Sequence, residues 1–212
     1  MNNFIKVFSK LCFLTFFLFS LGCGQANEKK SENNNLQTSF DGINKIYEGK
    51  LDSKITIITY ESLTCGHCAD FHKNVYPQLK KEFIDTGIVK IEFRHFPLDL
   101  AALNASKVAQ CNNDGKPDLL HFLFLNQQKW VKGKNIEDLN SNLKKLVEDE
   151  ILNIDFEKCI NDKKIEDYVL NDRIEGVKKF KVNATPTIII NNKKFDKTLN
   201  YKNLKKSIEK LI

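Results

Sequence analysis

The sequence predicts an α/β fold: a strand–helix–strand unit, an all-helical insertion, then a strand with a short hairpin partner and a closing helix. Three observations carry this. Two β-branched runs, residues 54–60 (KITIITY) and 88–93 (IVKIEF), flank a stretch whose apolar side chains recur at helical spacing. For about 85 residues after the second run only helical patterns appear. Residues 187–190 (TIII) then form a compact β-branched strand just after Thr185-Pro186.

Each element follows from local chemistry. Cys68, Phe71, Val75, Leu79 and Phe83 share one helix face up to about Asp85. Pro77 should kink that helix, because proline lacks the amide donor. Thr86-Gly87 closes it. A helical crossover joins parallel neighbours, so the two flanking strands should be parallel. Further helices are expected over residues 100–111, 118–129, 136–149, 155–160 and 165–180, the first stopped by Asn112-Asn113-Asp114-Gly115. Asn191-Asn192 is a turn, so residues 193–195 should pair back on TIII. Residues 201–212 form an amphipathic closing helix, and the chain has no internal repeat.

A length of 212 residues suits one domain with an insertion. Charged residues at 28% and hydrophobic ones at 42% give a globular composition. With 9 glycines and 4 prolines, collagen-like and low-complexity classes are excluded. Two charges of the net +6 are Lys6 and Lys10, and the other lysines are spread along the chain without a concentrated patch. That argues against a dedicated nucleic-acid partner.

The N-terminus reads as an export address. Residues 11–21 (LCFLTFFLFSL) are too short to span a bilayer comfortably but suit a signal-peptide core. Ser20-Leu21-Gly22-Cys23 resembles a bacterial lipoprotein box. Residues 1–22 would then be removed and Cys23 lipidated as a membrane anchor. Cleavage after Ala26, in Gly24-Gln25-Ala26, and a retained anchor are the alternatives. Residues 23–42 read as a polar, flexible tether. All three readings export the remainder to a bacterial periplasm or cell envelope. Setting aside Cys12 and Cys23, the 6 cysteines leave Cys65, Cys68, Cys111 and Cys159. An even number in an exported chain reads as two disulfides with their pairing open.

Cys65-Gly66-His67-Cys68 is the sharpest chemical signal. Cysteines at i and i+3, at a helix start, can approach within disulfide distance. The helix dipole and its unpaired amides stabilise a thiolate there. An unperturbed thiol, pKa about 8.5, is only a few per cent ionised at pH 7. One lowered to about 4 is essentially all thiolate, which favours the reduced form and makes the disulfide oxidising. His67 is expected to add a positive charge or a hydrogen bond. Cys65, at the exposed turn, should take part in a mixed disulfide, and Cys68, one turn in, should be buried and resolve it. Two alternatives use the same residues: a purely structural local disulfide, and a zinc site of Cys65, Cys68 and His72 that lacks a convincing fourth ligand. Thr185-Pro186 reads either as a cis-proline packed on the cysteines or as a plain strand-start proline. His95 is expected to be a satisfied structural histidine, His121 to pack with Phe122 and Phe124, and Trp130 to lie in the core or at its edge. No glycine-rich phosphate loop and no Ser/His/Asp arrangement occurs, and no cofactor is expected.

CGHC at a strand-to-helix turn, with a Thr-Pro before a later strand and helices between, resembles the thioredoxin superfamily with a helical insertion. Within it, the chain is similar to DsbA-family bacterial thiol-disulfide oxidoreductases. Residues 60–72 (YESLTCGHCADFH) and 93–98 (FRHFPL) are close to the pattern of alphaproteobacterial members. The resemblance covers about residues 43–212 and divides them into a thioredoxin-like domain, 43–98 and 181–212, and a helical insertion, 99–180. It implies that Cys65 and Cys68 form the redox-active disulfide. It also implies that Pro186 is cis and that Thr185 contacts substrate backbone. Cys111 and Cys159 would form a second, non-catalytic disulfide, with two free buried thiols as the alternative. The implied activity is introduction of disulfides into unfolded or reduced exported proteins, with reoxidation by a membrane partner of the DsbB type. An isomerase or a dedicated reductase would use the same cysteines. A copper-binding module of this superfamily carries CxxxC and a distal histidine, whereas this chain has CxxC and Met1 as its only methionine.

Three departures bear on the role. DsbA typically has Pro-His between its cysteines, and the Gly-His here is the pair of protein disulfide isomerase. Thr64 stands where thioredoxin has tryptophan, which counts against a thioredoxin-like reductase. The family's buried acid six residues before the first cysteine falls on Thr59, which relays no proton. Glu61 shares the face of Thr59 only if the strand stays regular that far. It is expected as an exposed loop acid, with a catalytic role as the alternative.

Overall fold

The computed structural model describes residues 42–111, 113–150 and 154–212. The expected signal peptide, Cys23 and nearly all of the tether lie outside the described residues.

Strands β1 (Ile46–Glu48), β2 (Ile55–Glu61), β3 (Val89–His95), β4 (Thr187–Ile190) and β5 (Lys193–Lys194) form one sheet in the order β1-β3-β2-β4-β5. β2 and β3 are parallel, in register from Ile55↔Val89 to Glu61↔His95. β4 lies antiparallel on the other side of β2, and β5 pairs back on it through the Asn191-Asn192 turn. β1 pairs antiparallel with β3. Three residues are too few to show a period, so the sequence reading missed this strand. β3 also extends two residues beyond the expected end at Phe93, because its ladder with β2 continues to His95.

Period-two alternation divides the core between the two faces. Ile55, Ile57, Val89 and Ile91 join the larger cluster, which takes in Phe71, Leu79, Phe124 and Trp130. Tyr60 and Ile189 point to the opposite face, with Phe96, Phe180 and Val182.

The crossover from β2 to β3 is continuously helical: α1 (Gly66–Asp70), a π segment (Phe71–Val75), α2 (Tyr76–Leu79) and a second π segment (Lys80–Ile84). The expected kink at Pro77 is taken up by the first π turn. The Tyr76 amide reaches back to the Phe71 carbonyl, a wider loop that accommodates the donor missing one residue later. Gly87, at φ 78°, then turns the chain into β3.

Between β3 and β4 lie α3 (Leu100–Gln110), α4 (Asp118–Leu125), α5 (Gln127–Trp130), α6 (Ile136–Glu150), α7 (Phe156–Asn161) and α8 (Lys163–Phe180). The helix expected over 118–129 is two helices. Asn126 leaves the helical region between them, and its side chain donates to the Phe122 carbonyl. Asp155 precedes α7 as its cap, accepting from the Lys158 amide. Asp162 caps α8 in the same way and starts it two residues before Ile165. α9 (Tyr201–Glu209) closes the chain, three residues shorter than expected. Cys111, at the end of α3, and Cys159, on α7, are joined at a Cα–Cα distance of 5.5 Å, within the range of a disulfide. Trp130 is fully buried, and its indole N–H donates to the Leu123 carbonyl. α8 packs on β3 and on the Tyr60 face. A Cβ on Gly176 would lie 2.7 Å from the Tyr60 ring, so only glycine permits that approach.

Candidate active site

The site grows from the end of β2. The backbone of Glu61 accepts a hydrogen bond from the Phe96 amide at 2.7 Å, and Ser62 Oγ accepts from the Leu98 amide. Thr64 Oγ1 donates to Asp99, whose other carboxylate oxygen caps α3 at the Ala102 amide. From α5, the Gln127 amide donates to the carbonyls of Leu63 and Cys65 at 2.8 and 3.1 Å. The cysteine loop is thus held from three directions. Asp99 and Gln127 escaped the sequence reading, because no local pattern ties a helix cap or a glutamine to a loop more than thirty residues away.

Cys65 occupies the N-cap position of α1 in extended conformation, and its carbonyl accepts from the amides of Cys68 and Ala69. Cys65 is half-buried, Cys68 is fully buried, and both are free thiols. Cys65 Sγ lies 3.3 Å from the carbonyl oxygen of Thr185, across a Thr185-Pro186 peptide bond that is cis. The two environments drive the thiols apart. A hydrogen bond from the Cys68 thiol is the largest influence holding Cys65 down, to about 5, aided by Thr185 and the helix amides of Cys68 and His67 and opposed by burial. Cys68 moves the other way, pushed far up by burial first, with the Cys65 thiol and the Glu61 carboxylate adding to the effect. His67 is exposed, and its backbone amide is among the groups that hold the Cys65 thiol down. It lines a cleft of about 560 Å³ with Phe71, Val75, Thr185, Pro186 and Leu199. A half-buried thiolate thus sits against the Thr185 carbonyl, a residue that lines the cleft with the cis-proline, and a second, buried thiol lies one helical turn behind it.

Glu61 is a correction to the sequence reading. It is the last residue of β2, 3% exposed, and its Oε2 lies 2.9 Å from His72 Nε2. Its register partner in the sheet is His95. The parallel ladder runs one pair beyond Tyr60 and so carries this acid into the core. His72 is turned away from the cysteines, with its Nδ1 2.7 Å from Nδ1 of His121. Among the described residues, no group of three or more His, Cys, Asp or Glu is placed to hold a metal ion. His121 does more than pack against its neighbours, since it joins this buried chain. His95 is a satisfied buried histidine, as expected: Nε2 meets Gln110 and its amide donates to Asp172. Asp172 also pairs with Arg94 at 2.7 Å, tying α8 to β3.

The fold and the site together describe a thioredoxin-type dithiol centre. A family model described as Thioredoxin matches residues 42–210. The crystal structure of Wolbachia pipientis alpha-DsbA1 superposes with a TM-score of 0.71 at 34% identity, covering 79% of this chain and 90% of that one. Disulfide bond formation protein D of Bacillus subtilis is 30% identical over 172 residues, 76% of this chain and 74% of the relative. A Rickettsia bellii protein provisionally named a protein-disulfide oxidoreductase is 31% identical over 150 residues, 70% of this chain. The match covers 57% of that relative, so the chain spans little more than half its length. The chain belongs to the thioredoxin family and, within it, to the DsbA-like proteins.

Proposed function

We propose that the protein is an exported thiol-disulfide oxidoreductase that introduces disulfides into reduced proteins of the cell envelope. The carrying observation is the asymmetry of the dithiol: a Cys65 thiol lowered to about 5 beside a buried Cys68 whose thiol is raised. A stabilised thiolate favours the reduced form, so the Cys65–Cys68 disulfide gives up its oxidising equivalents readily. A substrate thiolate attacks Cys65 Sγ, and Cys68 leaves with the electron pair of the S–S bond. The substrate's second thiolate then displaces Cys65. The substrate departs with a disulfide, both enzyme cysteines are reduced, and a membrane oxidant of the DsbB type restores them.

The cleft beside Pro186 supports an extended polypeptide as substrate, with Thr185 against its backbone. The Cys111–Cys159 bond supports an oxidising compartment, in keeping with the export signal of residues 1–22 and lipidation of Cys23. No described helix is long and apolar enough to cross a membrane.

The test is the reduction potential of Cys65–Cys68, equilibrated with glutathione buffers. A value near about −120 mV supports the oxidase, whereas about −270 mV would overturn it in favour of a reductase. A value near about −180 mV moves the reading to an isomerase, to be followed by refolding of a scrambled substrate.

A further inference from the structure

Gln127 opens α5 and is half-buried. Its side-chain amide lies 2.8 Å from the Leu63 carbonyl oxygen and 3.1 Å from that of Cys65. Carbonyl oxygens only accept, so the atom between them is the nitrogen, and each of its hydrogens serves one carbonyl. The bridge spans the φ and ψ angles of both Thr64 and Cys65. Satisfying a buried acceptor does not explain it at Cys65, whose carbonyl already takes the amides of Cys68 and Ala69 at 3.1 and 3.2 Å. The next residue shows what the bridge restrains. Gly66 is the first residue of α1, and a Cβ placed on it would meet open space, so no side-chain packing holds the peptide between Cys65 and Gly66. Glycine also has more backbone freedom to lose than any other residue, and Cys65 offers α1 no side-chain cap. Both ends of the bridge are firm. Leu63 is 1% exposed, and α5 is anchored by the fully buried Trp130, whose indole bonds the Leu123 carbonyl.

We propose that Gln127 is a positioning residue for Cys65: its amide clamps the loose peptide ahead of Gly66 and so keeps Cys65 Sγ on the Thr185 carbonyl at the start of α1. The inference rests on the dithiol reading above and extends it, because it makes the helical insertion part of the redox centre. Amides stabilise a thiolate only while the sulfur stays in front of them. Without the clamp, the freedom of Gly66 lets the helix start fray, and Sγ leaves the Thr185 contact and the amides of His67 and Cys68. The reduced form then loses stabilisation that the disulfide, which carries no thiolate, does not share, so the disulfide becomes a weaker oxidant. Gly66→Pro would supply the same restraint covalently. The proline ring fixes φ at about −65°, and its missing amide is no loss at the first helical position. Cys65, at φ −79° and ψ 118°, already holds the extended conformation that a following proline demands. Gln127 and that substitution are therefore two ways of fixing one peptide.

The test compares Gln127→Met, which keeps the side chain's length and removes its donor, in the wild-type and Gly66→Pro backgrounds. In equilibrium with glutathione, Gln127→Met should favour the disulfide by about fivefold over wild type, the ratio that a hydrogen bond of ordinary strength sustains. Alkylation of Cys65 by iodoacetamide should slow severalfold near the wild-type midpoint of about 5 and match the wild-type rate at alkaline pH, where both proteins are thiolate. In the Gly66→Pro background, Gln127→Met should change either quantity by less than about twofold, since the two substitutions act on one peptide. An equal effect in both backgrounds overturns the clamp. So does a lowered melting temperature with the equilibrium and the alkylation profile at their wild-type values, which is the signature of a merely structural tie. A wild-type protein whose cysteines do not exchange with glutathione overturns the dithiol reading instead. If Gln127→Met does not fold, Gln127→Asn, which keeps the amide but withdraws it by one methylene, is read by the same two measurements.

Discussion

Cys68→Ala should change the chemistry of Cys65 more than any other single substitution. The Cys68 thiol hydrogen bond is the largest influence holding Cys65 at about 5 in place of its ordinary 9.0. That displacement corresponds to about 5 kcal/mol between the two protonation states. Cys65 is only half-buried, so solvent screening brings the usable figure to about half of that. The sign follows from a depressed pKa. The thiolate's contribution to the stability of the reduced protein is complete above pH 9.0 and is lost as the pH falls through about 5. The disulfide form lacks this contribution, so its oxidising strength draws on the same interactions. In Cys68→Ala the Thr185 contact and the helix amides remain while the principal donor is gone. The Cys65 midpoint should therefore rise from about 5 toward 9.0, and the thiolate fraction at pH 7 should drop from nearly complete. Thiolate absorbance against pH, with the rate of alkylation by iodoacetamide as a second readout, measures both quantities. A midpoint unmoved by the substitution would refute the reasoning and assign the whole effect to the helix terminus.

Other sites give sharper stability readouts. Replacing Cys111 and Cys159 together by alanine reopens a loop of sequence separation 48, which the chain-entropy view values at about 4 kcal/mol. Urea unfolding should show that loss as an upper limit, with the Cys65 titration unchanged. Asp172→Asn removes the buried partner of Arg94 and should cost about 3 kcal/mol by denaturant unfolding, even with Glu92 and Glu175 still beside the guanidinium. Gly176→Ala drives a methyl into the Tyr60 ring and should cost about 1–3 kcal/mol, seen as a lower melting temperature.

Much of the fold was readable before any coordinates. β2, β3 and β4 declared themselves through β-branched runs, and the insertion helices through apolar spacing, because both signals are local and repeat within one element. The errors came where local signals were faint or overruled. β1 is three residues long. Asp155 reads as the first residue of a helix and Asp162 as part of the gap before the next, yet their carboxylates bond the amides ahead of them and so mark helix starts. Pro77 broke the helical rule only as far as a π turn.

In the site, CGHC at a helix start and Thr-Pro before a strand were legible, because dithiol chemistry depends on spacing within a few residues. The role of Glu61 was not. Whether its side chain met solvent or core depended on one further pair in the ladder between β2 and β3, which no residue near it encodes. His72 and His121 are 49 positions apart, and Gln127 is 62 from the cysteine it braces.

The sequence by itself determined the chemical class of the centre and the order of the elements, since covalent spacing and periodicity are properties of short segments. Tertiary structure alone decided which groups act on each thiol, the bracing of the cysteine loop by Asp99 and Gln127, and the buried line from Glu61 to His121. Each depends on distances and desolvation that arise only when remote segments close around the sheet and exclude water.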